Sequence, residues 1–182
     1  MCRTGGRRCE IPEGKREHIN KKRRVEYWKN KTDKKFEEIK AEWAGETPID
    51  LSSPTVKHAY KLAVIAHSGV RRKTGDTYIN HPLRVAKFLQ DKGFEEKVVA
   101  AAVLHDAVED SDLTLEELNN RHGFSPEILS GVDSVTKREG EDYTSAMKRA
   151  AGDPIGRLVK LSDNLDNSSR KQLMFLSTQK RL

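Results

Sequence analysis

Val98-Val99-Ala100-Ala101-Ala102-Val103-Leu104-His105-Asp106 is the stretch that decides how this chain folds. Its first seven residues are apolar or small on every side, so they predict a helix buried all round, with neighbours on several faces. Such a helix belongs at the centre of an all-α domain. Its end carries an imidazole and a carboxylate, which are costly to place beside a core unless each has a strong partner.

Helix signals recur on both sides of this segment. Ser53-Pro54 is an N-cap followed by proline at the first helical position, and Val56, Ala59, Ala63, Ile65 and Ala66 form an apolar face that stops at Gly69. Arg71 to Asn80 reads as a basic loop, and Pro82 opens a helix that closes near Gly93. Thr114-Leu115-Glu116-Glu117 is a capping box for a helix ending at Gly123, and Ser125-Pro126 starts the next. Asp153-Pro154 starts the last helix, which runs through Ile155, Leu158, Val159, Leu161 and Leu165. No segment alternates with period two over a strand length and no internal repeat is present. The expected architecture is an all-α helical bundle over residues 51–182, preceded by a basic N-terminal extension over residues 1–50.

That extension carries 14 of the 34 Lys/Arg and 10 of the 28 Asp/Glu, and so most of the net charge of +6. The run from Gly5 to Lys35, with Lys21-Lys22-Arg23-Arg24 inside it, is expected as a solvated tail or an exposed helix. Phe36, Ile39 and Trp43 share helical spacing and predict an apolar stripe against the domain, and Gly45 to Ser53 reads as a linker. Cys2 and Cys9 have no second pair to complete a zinc site, so free thiols are expected. No stretch approaches the roughly 20 apolar residues of a membrane span, and no apolar run follows the basic start. The expectation is a cytoplasmic protein without membrane contact. The basic segment leaves nucleic acid open as a partner.

Glu109 and Asp110 lie four positions after His105 and Asp106, which on a continuous helix sets a second acidic row one turn along. Three carboxylates and a histidine in six residues repel and compete unless a cation or solvent relieves them. A His-Asp pair alone is most often an ordinary polar helix end, but here it follows a buried helix, which favours a metal. His81 sits where a loop enters a helix, a place from which a side chain can turn into a cleft. Asp163 interrupts the apolar face of the last helix and Asn167 follows one turn later, a poor choice for stability that points to a ligand role. Arg71-Arg72-Lys73-Thr74-Gly75 has anion-binding character without the spacing of a phosphate loop. Two imidazoles with several carboxylates suit a hard or borderline divalent ion beside a general acid/base, the equipment of a metal-assisted phosphohydrolase.

Ala66-His67, Arg72-Lys73-x-Gly75, Tyr78-Ile79-x-His81-Pro82, Leu104-His105-Asp106-x-x-Glu109-Asp110, Val135-Thr136-Lys137 and Lys160-Leu161-x-Asp163-x-x-x-Asn167 occur in that order. Together they resemble the HD-type hydrolase domain of the RelA/SpoT group, above all its small stand-alone alarmone hydrolases, over about residues 54–170. The resemblance implies an all-helical HD-domain bundle that holds one Mn2+ and removes the 3′-pyrophosphate of guanosine tetra- and pentaphosphate, (p)ppGpp. The metal ligands would then be His81, His105, Asp106 and Asp163, while Glu109 and Asp110 would position and deprotonate the attacking water. Arg72 and Lys73 would hold the nucleotide, with Asn167 contacting it from the last helix.

Two features depart from that pattern. Asn164 and Asp166 place polar and acidic groups beside Asn167 where longer or more apolar ones are expected, and the stretch between Lys137 and Lys160 is short. Both bear on base recognition. The alternatives are a phosphatase acting on another nucleotide such as NADPH, and a non-hydrolysing nucleotide- or nucleic-acid-binding protein that uses the basic N-terminus. The complete set of ligands and acids favours hydrolysis.

Overall fold

The computed structural model describes residues 13–40, 49–72 and 75–179, with side chains over 21–40, 49–72 and 75–169. Cys2, Cys9, Trp43, Lys73 and the start of the expected linker lie outside the described residues. Among the described residues eight helices follow in chain order: α1 (Glu13–Ile39), α2 (Pro54–Ala66), α3 (Asn80–Asp91), α4 (Glu96–Leu104), α5 (Leu115–Asn120), α6 (Pro126–Val135), α7 (Tyr143–Gly152) and α8 (Gly156–Gln179). Among the described residues there is no strand, and the one β-type pairing is an isolated antiparallel bridge between Arg71 and Thr77. The all-α expectation holds.

Helix α4 is the hub. Every residue from Val98 to Leu104 is buried, and α2, α3, α6 and α8 all pack against it. Each Val or Leu removed from water there contributes about 1.5–3 kcal/mol. The starts of α2 and α4 are joined through Ser53, whose hydroxyl caps Val56 N–H at 3.3 Å and bonds Glu96. The capping box closes as its sequence predicts, with Glu117 N–H on Thr114 Oγ1 at 3.1 Å and Thr114 N–H on Glu117 Oε2 at 3.3 Å.

Three details differ from the sequence reading. The stretch between Lys137 and Lys160 contains the ten-residue helix α7, opened by Asp142, whose Oδ1 accepts from Thr144 and Ser145 N–H at 2.9 and 3.1 Å. Only Ala150 of α7 is buried, so its apolar periodicity is too weak to read. Its Arg149 donates to the carbonyls of Asp133 and Thr136 at 2.6 and 2.9 Å and satisfies the end of α6. Helix α8 starts at Gly156 because Asp153 Oδ1 accepts from Ile155 and Gly156 N–H, and its buried face is Val159, Ser162 and Asp163 while Leu161 and Leu165 are exposed. Helix α3 starts at Asn80, so His81 lies within its first turn rather than ahead of it.

Helices α6 and α8 approach closely at glycines. A Cβ on Gly131 would stand 2.6 Å from Ile155 Cγ2, and one on Gly156 would collide with Ser134 Oγ. Helix α1 packs on α2 and α5. Phe36 meets Tyr60 edge-on at 5.7 Å, Asp33 accepts from Lys61 Nζ at 2.6 Å, and Arg24 donates to the Asn120 carbonyl at 2.9 Å. Phe36 and Ile39 therefore do face the core, as their spacing predicts.

Under α1, His58 Nε2 and His122 Nδ1 lie 3.2 Å apart, and His58 stacks on Phe124. Burial, then His122, Lys29 and Lys61, push the His58 imidazole down to about 4 against the opposing pull of Asp33. As pH falls from about 6.5 to about 4, the unfolded chain takes up a proton that folded His58 refuses. Its contribution to stability is therefore complete above about 6.5 and is lost down that window. The melting temperature is expected to drop across the window, with a shallower slope in His58→Gln; parallel slopes would contradict this account. Gly131→Ala is expected to destabilise by about 1–3 kcal/mol in urea unfolding, because Ile155 must move.

Candidate metal centre

The centre forms where the buried helix α4 runs out. His105 caps α4 and residues 105–112 pass through turns rather than continuing the helix. A helix C-terminus carries partial negative charge, so a run holding Asp106, Glu109, Asp110 and Asp112 opposes extension. The expected second acidic row is therefore not formed on one helical face. Glu109 Oε2 accepts from Lys137 N–H at 3.1 Å, beside a cavity of about 360 Å³ that Lys160 also lines, whereas Asp110 turns toward Tyr78. Both acids are exposed.

His81 and His105 are 2% and 4% exposed, with ring centroids 5.3 Å apart. Each imidazole is oriented by its Nδ1. That of His105 donates to the Ala102 carbonyl at 2.8 Å, and that of His81 donates to Asp166 Oδ2 at 2.8 Å. Both Nε2 atoms then face inward. His81 Nε2 is 3.1 Å from Asp163 Oδ1 and 3.6 Å from Asp106 Oδ2, and His105 Nε2 is 3.2 Å from Asp106 Oδ1. His105 Nε2 is buried and makes no hydrogen bond with the described residues. Ligand atoms of His81, His105 and Asp106 lie within 4.8 Å of one another, and Asp163 adjoins them through His81.

An orphaned imidazole lone pair beside a carboxylate and a second imidazole, with the far side of each ring already satisfied, is the arrangement that a divalent cation completes. Three of the four side chains named for the metal thus share one cluster, Asp163 lies beside it against His81, and this donor set fits a divalent ion. Burial works against the charge on Asp163, but His81, His105 and Lys160 outweigh it and hold the carboxyl well below its usual range. Lys160 Nζ donates to Asp163 Oδ2 at 2.9 Å and Asn167 Nδ2 to Oδ1 at 2.6 Å.

Arg72 reaches the same cluster. Pairing of residues 70–72 with 76–78, through Tyr78 N–H on Val70 O at 3.0 Å and Arg72 N–H on Asp76 O at 2.8 Å, folds the basic loop back. Gly75 takes φ +86° to allow the turn. One Arg72 nitrogen lies 3.4 Å from Asn167 Oδ1, so two of the expected nucleotide contacts meet above Asp163.

Three participants escape the sequence reading. Asp166, singled out as a departure beside Asn167, instead backs the metal centre: it holds His81 and accepts from Arg84 Nε and a terminal nitrogen at 2.7 and 2.9 Å. Burial opposes its charge, while Arg84 and His81 lower its pKa overall. The i, i+3 spacing of Asp163 and Asp166 was the available signal. His67 is 1% exposed with neither ring nitrogen hydrogen-bonded among the described residues, and burial, chiefly, lowers its pKa. It stacks on Tyr78 at 4.9 Å, and the Tyr78 hydroxyl donates to Asp106 Oδ2 at 3.0 Å. Burial and the carboxylates of Asp106 and Asp110 push the Tyr78 phenol far up, so it stays a donor.

A helical bundle whose central helix ends at His105-Asp106, met by His81 and Asp163 from two neighbouring helices, defines an HD-type protein, and the chain belongs to the HD domain family, which it matches over residues 59–167. It is 39% identical over 118 residues to a guanosine-3′,5′-bis(diphosphate) 3′-pyrophosphohydrolase of Aquifex aeolicus, covering 62% of this chain and 17% of that protein. A probable enzyme of the same name from Synechocystis is 30% identical over 161 residues, or 81% of this chain and 21% of the relative. A GTP pyrophosphokinase of Streptomyces coelicolor is 36% identical over 121 residues, 62% of this chain and 14% of its own length. The chain thus spans 14–21% of the length of these relatives. Among solved structures, a metazoan ortholog of SpoT that hydrolyzes ppGpp superimposes with TM-score 0.59 at 28% identity, covering 69% of this chain and 74% of that one. The likeness to the RelA/SpoT hydrolase domain that the motifs carry is borne out.

Removing the Asp166 carboxylate in Asp166→Ala is expected to weaken divalent-metal affinity about 10- to 100-fold in calorimetric titration, since it orients His81. Affinity within twofold of the parent would show that His81 is held without it.

Proposed function

We propose that the protein is a Mn2+-dependent hydrolase that removes the 3′-pyrophosphate from guanosine tetra- and pentaphosphate. The observation that carries this reading is the placement of both histidine Nε2 atoms against Asp106 and, for His81, Asp163, with Asn167 bonded to that same Asp163 and to Arg72. Relatives named for this reaction support the substrate class. His81, His105, Asp106 and Asp163 would hold the ion; two imidazoles favour Mn2+ over Mg2+. When bound, such a cation lowers the pKa of water toward neutrality and offsets charge on phosphoryl oxygens.

The remaining steps belong to the chain. Arg72, with Lys73 beside it in sequence, supplies positive charge for the nucleotide phosphates, and a guanidinium can grip two phosphoryl oxygens at once. Asn167 presents an amide next to that guanidinium. Glu109 and Asp110 are exposed carboxylates, of which one orients a water and accepts its proton as the water oxygen bonds phosphorus; the bond from phosphorus to the ribose 3′ oxygen breaks, that oxygen takes up a proton, and pyrophosphate leaves. The exposed Lys21, Lys22, Arg23, Lys34 and Lys35 of α1 favour one second reading, nucleic-acid binding without hydrolysis. Salt-dependent binding that vanishes when these five are replaced, in a protein without phosphohydrolase activity, would establish it.

The deciding experiment is a hydrolysis panel with Mn2+ over guanosine tetraphosphate, guanosine pentaphosphate and NADPH, with the position of the released phosphate determined. Guanosine polyphosphates are expected to lose the 3′ group; turnover of NADPH alone would redirect the assignment. Glu109→Gln is expected to retain the ion while losing most turnover, about 100-fold or more. His105→Ala is expected to lose the ion and some stability, read by metal titration and melting. Near-parental rates in Glu109→Gln would remove Glu109 from the role of base.

A further inference from the structure

We propose that Tyr78 is a positioning residue with two separable functions: its hydroxyl sets the Asp106 carboxylate for the metal, and its ring seats Arg72 for the nucleotide. The inference rests on the hydrolase reading above and goes beyond the side chains assigned there.

Asp106 needs such a partner because it stands in a turn. Helix α4 ends at Leu104, so no helical backbone beyond His105 aims the Asp106 side chain. Its two oxygens have different neighbours: Oδ1 lies 3.2 Å from His105 Nε2, while Oδ2 lies 3.6 Å from His81 Nε2 and accepts from the Tyr78 hydroxyl at 3.0 Å. Apart from the two imidazoles, Tyr78 is the side-chain donor that the described residues offer to Asp106. Rotating the carboxylate away from the imidazoles would break that hydrogen bond.

The ring does something else. The Arg72 guanidinium carbon lies 5.4 Å from the Tyr78 centroid, a cation–π contact, and Arg72 continues to Asn167. His67 stacks on the same ring at 4.9 Å with 28° between planes. With neither nitrogen hydrogen-bonded among the described residues, His67 holds Tyr78 by face contact rather than by a polar link. Tyr78 itself is anchored just ahead of His81, whose N–H donates to the Tyr78 carbonyl at 2.9 Å. One side chain thus fixes both the carboxylate and the guanidinium, from a backbone that also carries a histidine of the centre.

Tyr78→Phe and Tyr78→Leu in the full chain separate the two functions. Mn2+ affinity is measured without nucleotide, by electron paramagnetic resonance of free Mn2+, and kcat and KM are measured with guanosine tetraphosphate. Tyr78→Phe keeps the ring, so Mn2+ affinity and kcat are each expected to fall about 10-fold while KM stays within twofold. Tyr78→Leu is expected to add a rise in KM of about 10-fold. Metal affinity and kcat both within twofold in Tyr78→Phe would overturn the hydroxyl role, and an unchanged KM in Tyr78→Leu would overturn the ring role. Melting confirms folding; should Tyr78→Leu not fold, Tyr78→Met takes its place with the same criterion. Because the Mn2+ measurement needs no substrate, a parent that binds the ion but cleaves no guanosine polyphosphate counts against the proposed reaction, and the affinity comparison still decides the hydroxyl role.

Discussion

A lone pair that the core cannot satisfy organises this molecule. Helix α4 is apolar all round and buried along its length, and it ends by placing the His105 imidazole inside the protein. The Ala102 carbonyl accepts a hydrogen bond from Nδ1–H and so leaves Nε2 as an inward-facing acceptor without a hydrogen bond among the described residues. Burying such an atom unpaired is destabilising by about 1–3 kcal/mol, and crowding it with carboxylates raises the electrostatic cost. A divalent ion relieves both at once. The bundle around α4 can then be read as the scaffold that brings His81 and Asp163 from α3 and α8 to the same point.

The layer behind those ligands is as informative as the ligands. Asp166 and Arg84 form a paired carboxylate and guanidinium at the back of His81, which fixes its tautomer without leaving a net charge buried. Lys160 and Asn167 hold Asp163 in the same way, and His81, His105 and Lys160 keep its carboxyl ionised despite burial. Arg72 reaches the same cluster through Asn167, and the Glu109 and Asp110 carboxylates are exposed.

Legibility differed by residue for physical reasons. Helices α4, α5 and α6 announced themselves through a continuous apolar run, a capping box and a Ser-Pro start, all local signals. Helix α7 did not, because its stability comes from the Asp142 cap and from Arg149 bonding the end of α6 while a single alanine is buried. His105, Asp106 and Asp163 were readable as polar groups in apolar surroundings. Asp166 drew attention for the wrong reason: its sequence neighbour is Asn167, but its partners Arg84 and His81 lie more than 80 residues away. His67 and Tyr78 stood within motifs without a visible role, since stacking and a long-range hydrogen bond leave no periodicity.

By itself the sequence determined an all-α bundle with a buried central helix, a metal-ligating set of residue types and a basic segment ahead of the domain, because burial pattern, capping and residue chemistry are properties of short stretches. Tertiary structure alone decided which nitrogen of each histidine faces inward, that the chain leaves the helix after His105 so that Glu109 and Asp110 part company, and that Asp166 supports the centre rather than the base. Those outcomes depend on which donors and acceptors meet across helices α3, α4 and α8, and such meetings are set by packing distances that residue order does not contain.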